Sequence, residues 1–466
     1  MRWGEGVSSL SSCRDGPAVH PKARGVADLS LVPPATDQLV TLGAGELARR
    51  IAAGEVSAVQ ACAAALDRIA AVEPLIHAFA CLEPEGVMAA ARRADEHQAS
   101  GAPLGLLHGV PVSIKDWIEV EGLVCDAGFE GRQTFRPARD ATVAARLKGA
   151  GAIVLGKTAV NDGQPFHPQP RNPHDLNRSP GASSSGEAAL IAAFGSPLGL
   201  GSDSGGSIRI PAHHTGLAGL KPTHGRVPVT GHFPPIGALS DPRTVIGPLA
   251  RRVEDLALAL SIIAGPDGQD PAVAPAPLGA VRDVAVRTAR VAVVDFGERG
   301  LTEAARAALG AAAEALKAAG VDAREAELPI LQESLEITEA YWTRLWSFSL
   351  HRWRPHRTSR LSADALEESI FRWERLQRRV EAFMQDYDAI LCPTAAGPAP
   401  AIRPLTGADF LFTLPFSLTG QPAVAVPVGR SEEGLPLGVQ VAARRWRDDV
   451  ALAIAKVIED QLRANR

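Results

Sequence analysis

The residues best suited to chemistry are serines set among glycines. Gly181-Ala-Ser-Ser-Ser-Gly-Glu-Ala-Ala-Leu is followed by Gly201-Ser-Asp-Ser-Gly-Gly-Ser-Ile-Arg-Ile-Pro and then by Gly216-Leu-Ala-Gly-Leu-Lys-Pro-Thr. Serine at a glycine turn ordinarily satisfies backbone groups in a loop. The same composition can also clear space for a ligand while successive N–H groups converge on an anion, as an oxyanion hole requires. A serine hydroxyl is a weak nucleophile and needs a base within hydrogen-bond reach, directly or through a relay hydroxyl. Gly109-Val-Pro-Val-Ser-Ile-Lys-Asp supplies one, because a lysine ending an apolar run is disfavoured as the ammonium and becomes a usable amine base.

Other candidates read as structural. Asp203 and Arg209 flank Ser207 and are expected to brace its loop. His213 and His214 lack a third ligand at metal-binding spacing and are expected to be helix residues. Trp342, Trp346, Trp353 and Trp373 could line a substrate funnel or pack a helical core; both readings stay open.

The elements that must position these residues have an α/β pattern. Apolar runs such as Ala152–Gly156, Val291–Asp295 and Ala389–Pro393 alternate with helical stretches. Helices are predicted over 44–53 and, capped by Ser57, over 58–71. Val291 to Leu328 reads as strand, helix 303–318 ended by Gly320, and second strand, a right-handed crossover. Residues 1–38 read as a poorly ordered tail and 39–466 as one catalytic domain, with the Pro-rich stretch 266–277 linking two of its parts.

Hydrophobic residues are 46% of the 466 and charged ones 21%, so a large core is available. The net charge of −4, with no run of five basic residues, argues against nucleic-acid binding. Cys13, Cys62, Cys81, Cys125 and Cys392 form no CxxC pair and fit a reducing compartment. No apolar stretch reaches the ~18 to 20 residues of a membrane span, and no secretion signal opens the chain. A cytoplasmic protein without membrane contact is expected.

The sequence resembles the amidase signature family. Gly109 to Asp116 resembles its lysine motif and Gly181 to Pro211 its Gly/Ser signature. The likeness extends from about residue 42 to 462 through Leu107-His-Gly-Val-Pro, Gly156-Lys-Thr, Gly247-Pro-Leu-Ala-Arg and Gly434-Leu-Pro-Leu-Gly-Val-Gln. It implies a single large domain with a central mixed, twisted sheet covered by helices on both faces, a signature core near 105–265 and a variable substrate region near 330–385. It also implies Lys115 as base, Ser183 as bridging serine, Ser207 as nucleophile, and an oxyanion hole of backbone N–H groups from Ser204, Gly205, Gly206 and Ser207. The spacing of 24 residues between Ser183 and Ser207 agrees with the family. Ala182 and Ser185 stand where glycines are usual, which leaves Ser184 as the alternative bridge. A cis Ala182–Ser183 bond is expected by the same resemblance, costing ~3 to 4 kcal/mol.

The implied reaction is hydrolysis of a small-molecule amide, with esters and carbamates within reach, through an acyl-serine and with no metal or cofactor. A homodimer is implied as plausible. Two other roles are weighed: the glutaminase component (the A chain) of a tRNA-dependent amidotransferase, and a scaffold without turnover. Ala238-Leu-Ser-Asp-Pro-Arg-Thr-Val-Ile-Gly-Pro departs from the Ala-Ser-Ser-Leu-Asp-Gln type stretch of that amidotransferase component.

Overall fold

The structure is a computed structural model that describes residues 38–160, 166–235, 241–297, 300–348 and 362–464, the side chains of 342–348 excepted. The segment read as a tail therefore lies, up to residue 37, outside the described residues. Eleven strands form one sheet among the described residues: β1 (Phe79–Leu82), β2 (Pro111–Lys115), β3 (Ile153–Thr158), β4 (Leu198–Asp203), β5 (Ala218–Lys221), β6 (Val245–Ala250), β7 (Arg290–Val293), β8 (Asp322–Glu325), β9 (Ala389–Pro393), β10 (Ala423–Arg430) and β11 (Pro436–Ala443). Their order is β1-β3-β2-β4-β6-β5-β10-β11-β9-β7-β8. The sheet is mixed: β2 runs parallel to both β3 and β4, and β7 to both β8 and β9, whereas the middle strands pair antiparallel.

Helices cover both faces, as the alternation of strand side chains shows. Ala389 and Leu391 of β9 join one apolar cluster, while Ile390 and Cys392 join another. A strand buried on both sides reads as a continuous apolar run, which is how Ala-Ile-Leu-Cys-Pro appears. The helices are α1 (Gln38–Thr41), α2 (Ala44–Ala52), α3 (Ala58–Ile76), α4 (Pro84–Ala99), α5 (Thr142–Gly149), α6 (Ser185–Ala192), α7 (Arg209–Thr215), α8 (Val253–Ile263), α9 (Glu303–Ala318), α10 (Leu331–Phe348), α11 (Ala363–Phe383), α12 (Leu414–Thr419) and α13 (Asp448–Ala464). None is long and apolar enough to cross a membrane.

Local sequence explains where these elements start and stop. Ser57 Oγ accepts the Gln60 N–H at 3.0 Å and the Gln60 side chain accepts the Ser57 N–H at 2.8 Å, a capping box that opens α3. The buried stripe Ala61, Ala65, Leu66, Ile69, Val72 and Ile76 carries α3 beyond the predicted Ala71. The unit β7–α9–β8 follows the sequence reading: Thr302 caps the helix, Leu309, Ala312 and Leu316 face inward, and Gly320 follows at φ 80°. The Pro-rich stretch is strapped to the body, since Arg226 Nη1 donates to the carbonyls of Ala276 and Pro277 at 2.7 and 3.1 Å. The strands beyond it join the same sheet.

Candidate active site

Parallel neighbours in a sheet deliver their C-terminal ends side by side, and ligand sites in α/β proteins gather there. Pairing of Ile114 with Leu200 brings the end of β2, Lys115, beside Ser202 of β4. Lys115 is fully buried. Its Nζ lies 2.6 Å from Ser183 Oγ and 2.9 Å from Ser202 Oγ, with a longer contact of 3.5 Å to the Ser202 carbonyl. The Trp117 ring centroid is 4.3 Å from the same nitrogen.

Ser183 precedes α6 on a turn closed by the Ser185 N–H donating to the Ala182 carbonyl at 2.9 Å. Gly181, at φ 125°, lets this turn approach α7: a Cβ there would come within 2.6 Å of Pro211 Cα. Glu187, in the first turn of α6, anchors the helix to the sheet by accepting from Ser113 of β2 and from Thr158 of β3, the latter at 2.8 Å. Burial pushes its carboxyl up to about 7 against those two donors. Ser184 does not touch the lysine; its hydroxyl donates to the Ser202 carbonyl at 3.3 Å. Of the two candidate bridging serines, Ser183 is the one in contact with Lys115.

Beyond β4 the chain turns through Ser204, Gly205, Gly206 and Ser207 into α7. The N–H groups of these four residues donate to no acceptor among the described residues, although Gly205 and Gly206 are buried. Four consecutive unspent donors beside a serine have the composition of an anion-binding nest. The turn is rigidly held. Thr413 donates its hydroxyl to the Gly205 carbonyl, which fixes the plane of the peptide carrying the Gly206 N–H. Gly206 sits at φ 147°, and a Cβ there would lie 2.3 Å from Thr413 Oγ1. Arg209 clamps Asp203 through two nitrogens at 3.0 and 3.1 Å and also reaches the Thr413 carbonyl and Gln440. The Asp203–Arg209 pair therefore braces the loop. Burial opposes the Asp203 charge, but Arg209 outweighs it and holds the carboxyl below its usual range.

Ser207 is half-buried, and no hydrogen bond joins it to Ser183 among the described residues. Catalytic hydrogen bonds are commonly long before substrate binds. The expected cis Ala182–Ser183 bond is corrected: it is not cis, and Phe233–Pro234 is the cis bond found among the described residues. Trans is the favoured form of a non-proline peptide by several kcal/mol, and it already sets Ser183 Oγ at 2.6 Å from Lys115, so that contact does not demand the strained isomer.

Asp116, Asp126 and His167 gather their ligand atoms within 4.8 Å behind the lysine. Asp116 pairs with the buried Lys157 at 2.9 Å, and His167 Nε2 reaches Asp126 at 2.7 Å and Asp116 at 3.3 Å. The carboxylates favour a protonated ring, yet Nδ1 accepts the Val160 N–H at 2.9 Å, which an imidazolium cannot do. The ring is thus the neutral Nε2–H tautomer, and this trio offers no nitrogen lone pair to a cation.

His213 and His214 are buried on α7, as anticipated. Trp373 packs in the core against Tyr341 and donates to the Leu418 carbonyl, whereas the side chains of Trp342 and Trp346, and all of Trp353, lie outside the described residues. A cleft of 390 Å³ lined by Arg251, Arg430, Arg463 and Phe194 is not lined by Lys115, Ser183 or Ser207. Sequence reasoning missed Ser202, Thr413 and His232. Ser202 stands inside the Gly/Ser stretch, but nothing local marks the other two.

The sequence profile of the amidase family matches residues 60–351 and 340–452, and the chain belongs to that family. The A chain of the glutamyl-tRNA(Gln) amidotransferase of Salinispora tropica is 34% identical over 485 aligned residues, spanning 90% of this chain and 97% of the relative. AtzE, a component of the 1-carboxybiuret hydrolase of Pseudomonas sp. (strain ADP), is 35% identical over 457, spanning 89% and 97%. Among solved structures, the inhibitor-bound form of a vestigial protein complex bearing on the origins of an s-triazine catabolic enzyme superposes with a TM-score of 0.80 at 32% identity, covering 90% of this chain and 98% of that one. The chain is accordingly an enzyme of the class acting on carbon–nitrogen bonds.

Proposed function

We propose that the chain hydrolyses small-molecule amides through an acyl-serine on Ser207, with Ser183 as proton relay and Lys115 as base. The observation that carries this reading is the buried Lys115–Ser183 hydrogen bond beside a serine turn with four unspent N–H groups. A lysine withdrawn from water is penalised as the ammonium, which favours the amine that a base must be. Ser207 Oγ attacks the carbonyl carbon as its proton passes to Ser183 Oγ and the Ser183 proton passes to Lys115 Nζ. The carbonyl electron pair moves onto oxygen, where the N–H groups of Ser204, Gly205, Gly206 and Ser207 receive it, each donor being worth ~3 kcal/mol in a preorganised hole. Collapse breaks the carbon–nitrogen bond, and the relay returns the proton to the leaving nitrogen. Water then attacks the ester, gives its proton to the relay, and frees the acid and Ser207. These steps use only protein groups and water.

The test is a panel of amides, anilides, esters and carbamates, with mass spectrometry of the protein after a fluorophosphonate. Wild type should release amine or alcohol and carry one adduct on Ser207; Ser207→Ala should do neither. A folded wild type that takes no adduct and turns over nothing would instead favour a scaffold without turnover. The likeness to the amidotransferase component supports a second reading, ammonia release from glutamine for a partner. Glutamine hydrolysis exceeding that of every simple amide would favour it. The resemblance also supports a homodimer, which light scattering on the purified chain tests by mass.

A further inference from the structure

Ser202 and His232 are absent from the proposed relay, yet they meet its base. His232 is buried, and its Nδ1 lies 3.0 Å from the Pro234 carbonyl. A carbonyl can only accept, so Nδ1 carries the hydrogen. Burial lowers the ring to about 4, which keeps it neutral near pH 7 and leaves Nε2 as an acceptor. Nε2 is 3.0 Å from Ser202 Oγ, so the Ser202 hydroxyl must donate to it. With its one hydrogen spent there, Ser202 Oγ meets Lys115 Nζ, 2.9 Å away, only as an acceptor of a lysine N–H. The Ser202 carbonyl, 3.5 Å from Nζ, also accepts only. Ser202 therefore takes hydrogen from the lysine and supplies none, so it does not compete for the amine lone pair with the Ser183 hydroxyl at 2.6 Å.

We propose that His232, acting through Ser202, is a positioning residue that orients the Lys115 lone pair onto the Ser183 hydroxyl. The inference rests on the Lys115–Ser183–Ser207 reading and adds to it the direction of the Ser202 hydroxyl. Trp117 completes the arrangement: it meets His232 edge to face, with centroids 5.9 Å apart, and turns its ring toward Nζ at 4.3 Å. An aromatic face there favours the ammonium that Lys115 becomes once it has taken the proton. Without the acceptor at Nε2, the Ser202 hydroxyl is free to turn its hydrogen on the lysine nitrogen and compete with Ser183 for the lone pair.

The experiment reads the rate at which a fluorophosphonate labels Ser207 in wild type, His232→Leu, His232→Gln, Ser202→Ala and the His232→Leu/Ser202→Ala pair, with melting temperatures alongside. His232→Leu and Ser202→Ala should each label about tenfold more slowly, the rate equivalent of one hydrogen bond. The pair should be no slower than the worse single variant, because both act along one path. Gln restores an acceptor near Nε2 and a donor toward Pro234, so His232→Gln should recover most of the rate, which a merely space-filling role would not produce. In a Lys115→Ala background, His232→Leu should have no further effect. Wild-type labelling by a folded His232→Leu, or an equal loss with Lys115 absent, would overturn the inference. If His232→Leu fails to fold, Ser202→Ala and His232→Gln carry the same test. Two controls separate the failures: Ser207→Ala labelling like wild type, or a wild type that takes no label, sinks the triad reading itself, whereas a silent Ser207→Ala beside a normal His232→Leu sinks only this one.

Discussion

Thr413 shows how a single hydroxyl sets a reactive turn. Its one hydroxyl hydrogen is shared between the Gly205 carbonyl and that of Phe410 at 2.8 Å, and the bond to Gly205 resists rotation of the peptide plane bearing the Gly206 N–H. Preorganised donors stabilise developing charge because they need not reorient as the reaction proceeds. Thr413→Val keeps the shape and removes the clamp. Its acylation rate should fall by about tenfold, from the loss of one hydrogen bond, with substrate KM nearly unchanged. Steady-state kinetics on the best amide, or the labelling rate of Ser207, measures this; an unchanged rate would mean that Gly206 and its neighbours hold the turn alone. The legible part of the site was the part local in sequence. Lys115 ends an apolar run and Ser207 sits in a Gly-Gly-Ser turn, both visible without a fold. Thr413 and His232 reach the site only because α12 and the loop before Pro234 fold onto it, and neither carries a glycine pattern or spacing that says so.

The elements were legible to the extent that their signals were local. Ser57 announced α3 as its cap, and the apolar spacing supplied the rest; the reciprocal bond from Gln60 came only with the structure. The strand order was not legible, because pairing β4 with β6 and β5 with β10 depends on contacts far apart in the chain. The α3 cap is remote from Lys115 in sequence and on a different element, which separates stability from chemistry. Ser57→Ala should cost about 1 kcal/mol, the usual worth of an N-cap side chain. Urea unfolding should show the loss while the rate on any substrate found stays at the wild-type value. A matching loss of rate would mean that α3 transmits strain to β2, with which it shares contacts.

At the scale of the whole molecule, acid should act through histidines buried in neutral form. Among the described residues His214 Nδ1 meets no hydrogen-bond partner, and burial lowers its ring to about 3. His224 and His232 are lowered to about 4, again chiefly by burial, and His213 is lowered by the same cause. An unfolded histidine titrates near 6.5, so below that pH the unfolded chain takes up protons that the native state refuses. The stabilisation is therefore complete above about 6.5 and is lost as pH falls toward the folded values. Glu73 and Glu187 oppose this trend, since burial raises both to about 7: their contribution is complete near pH 4 and is lost as pH rises through 7. The two sets partly cancel between pH 4.5 and 6.5, which makes overall acid sensitivity a poor diagnostic and a single-site comparison a good one. His214→Leu fills similar space and deletes one proton-uptake site. Between pH 6 and 4.5 its unfolding free energy should fall less steeply than that of wild type by up to about 1.4 kcal/mol per pH unit, the slope of one proton. Parallel denaturant titrations across that range give both slopes; identical slopes would mean that His214 binds its proton in the native state as well.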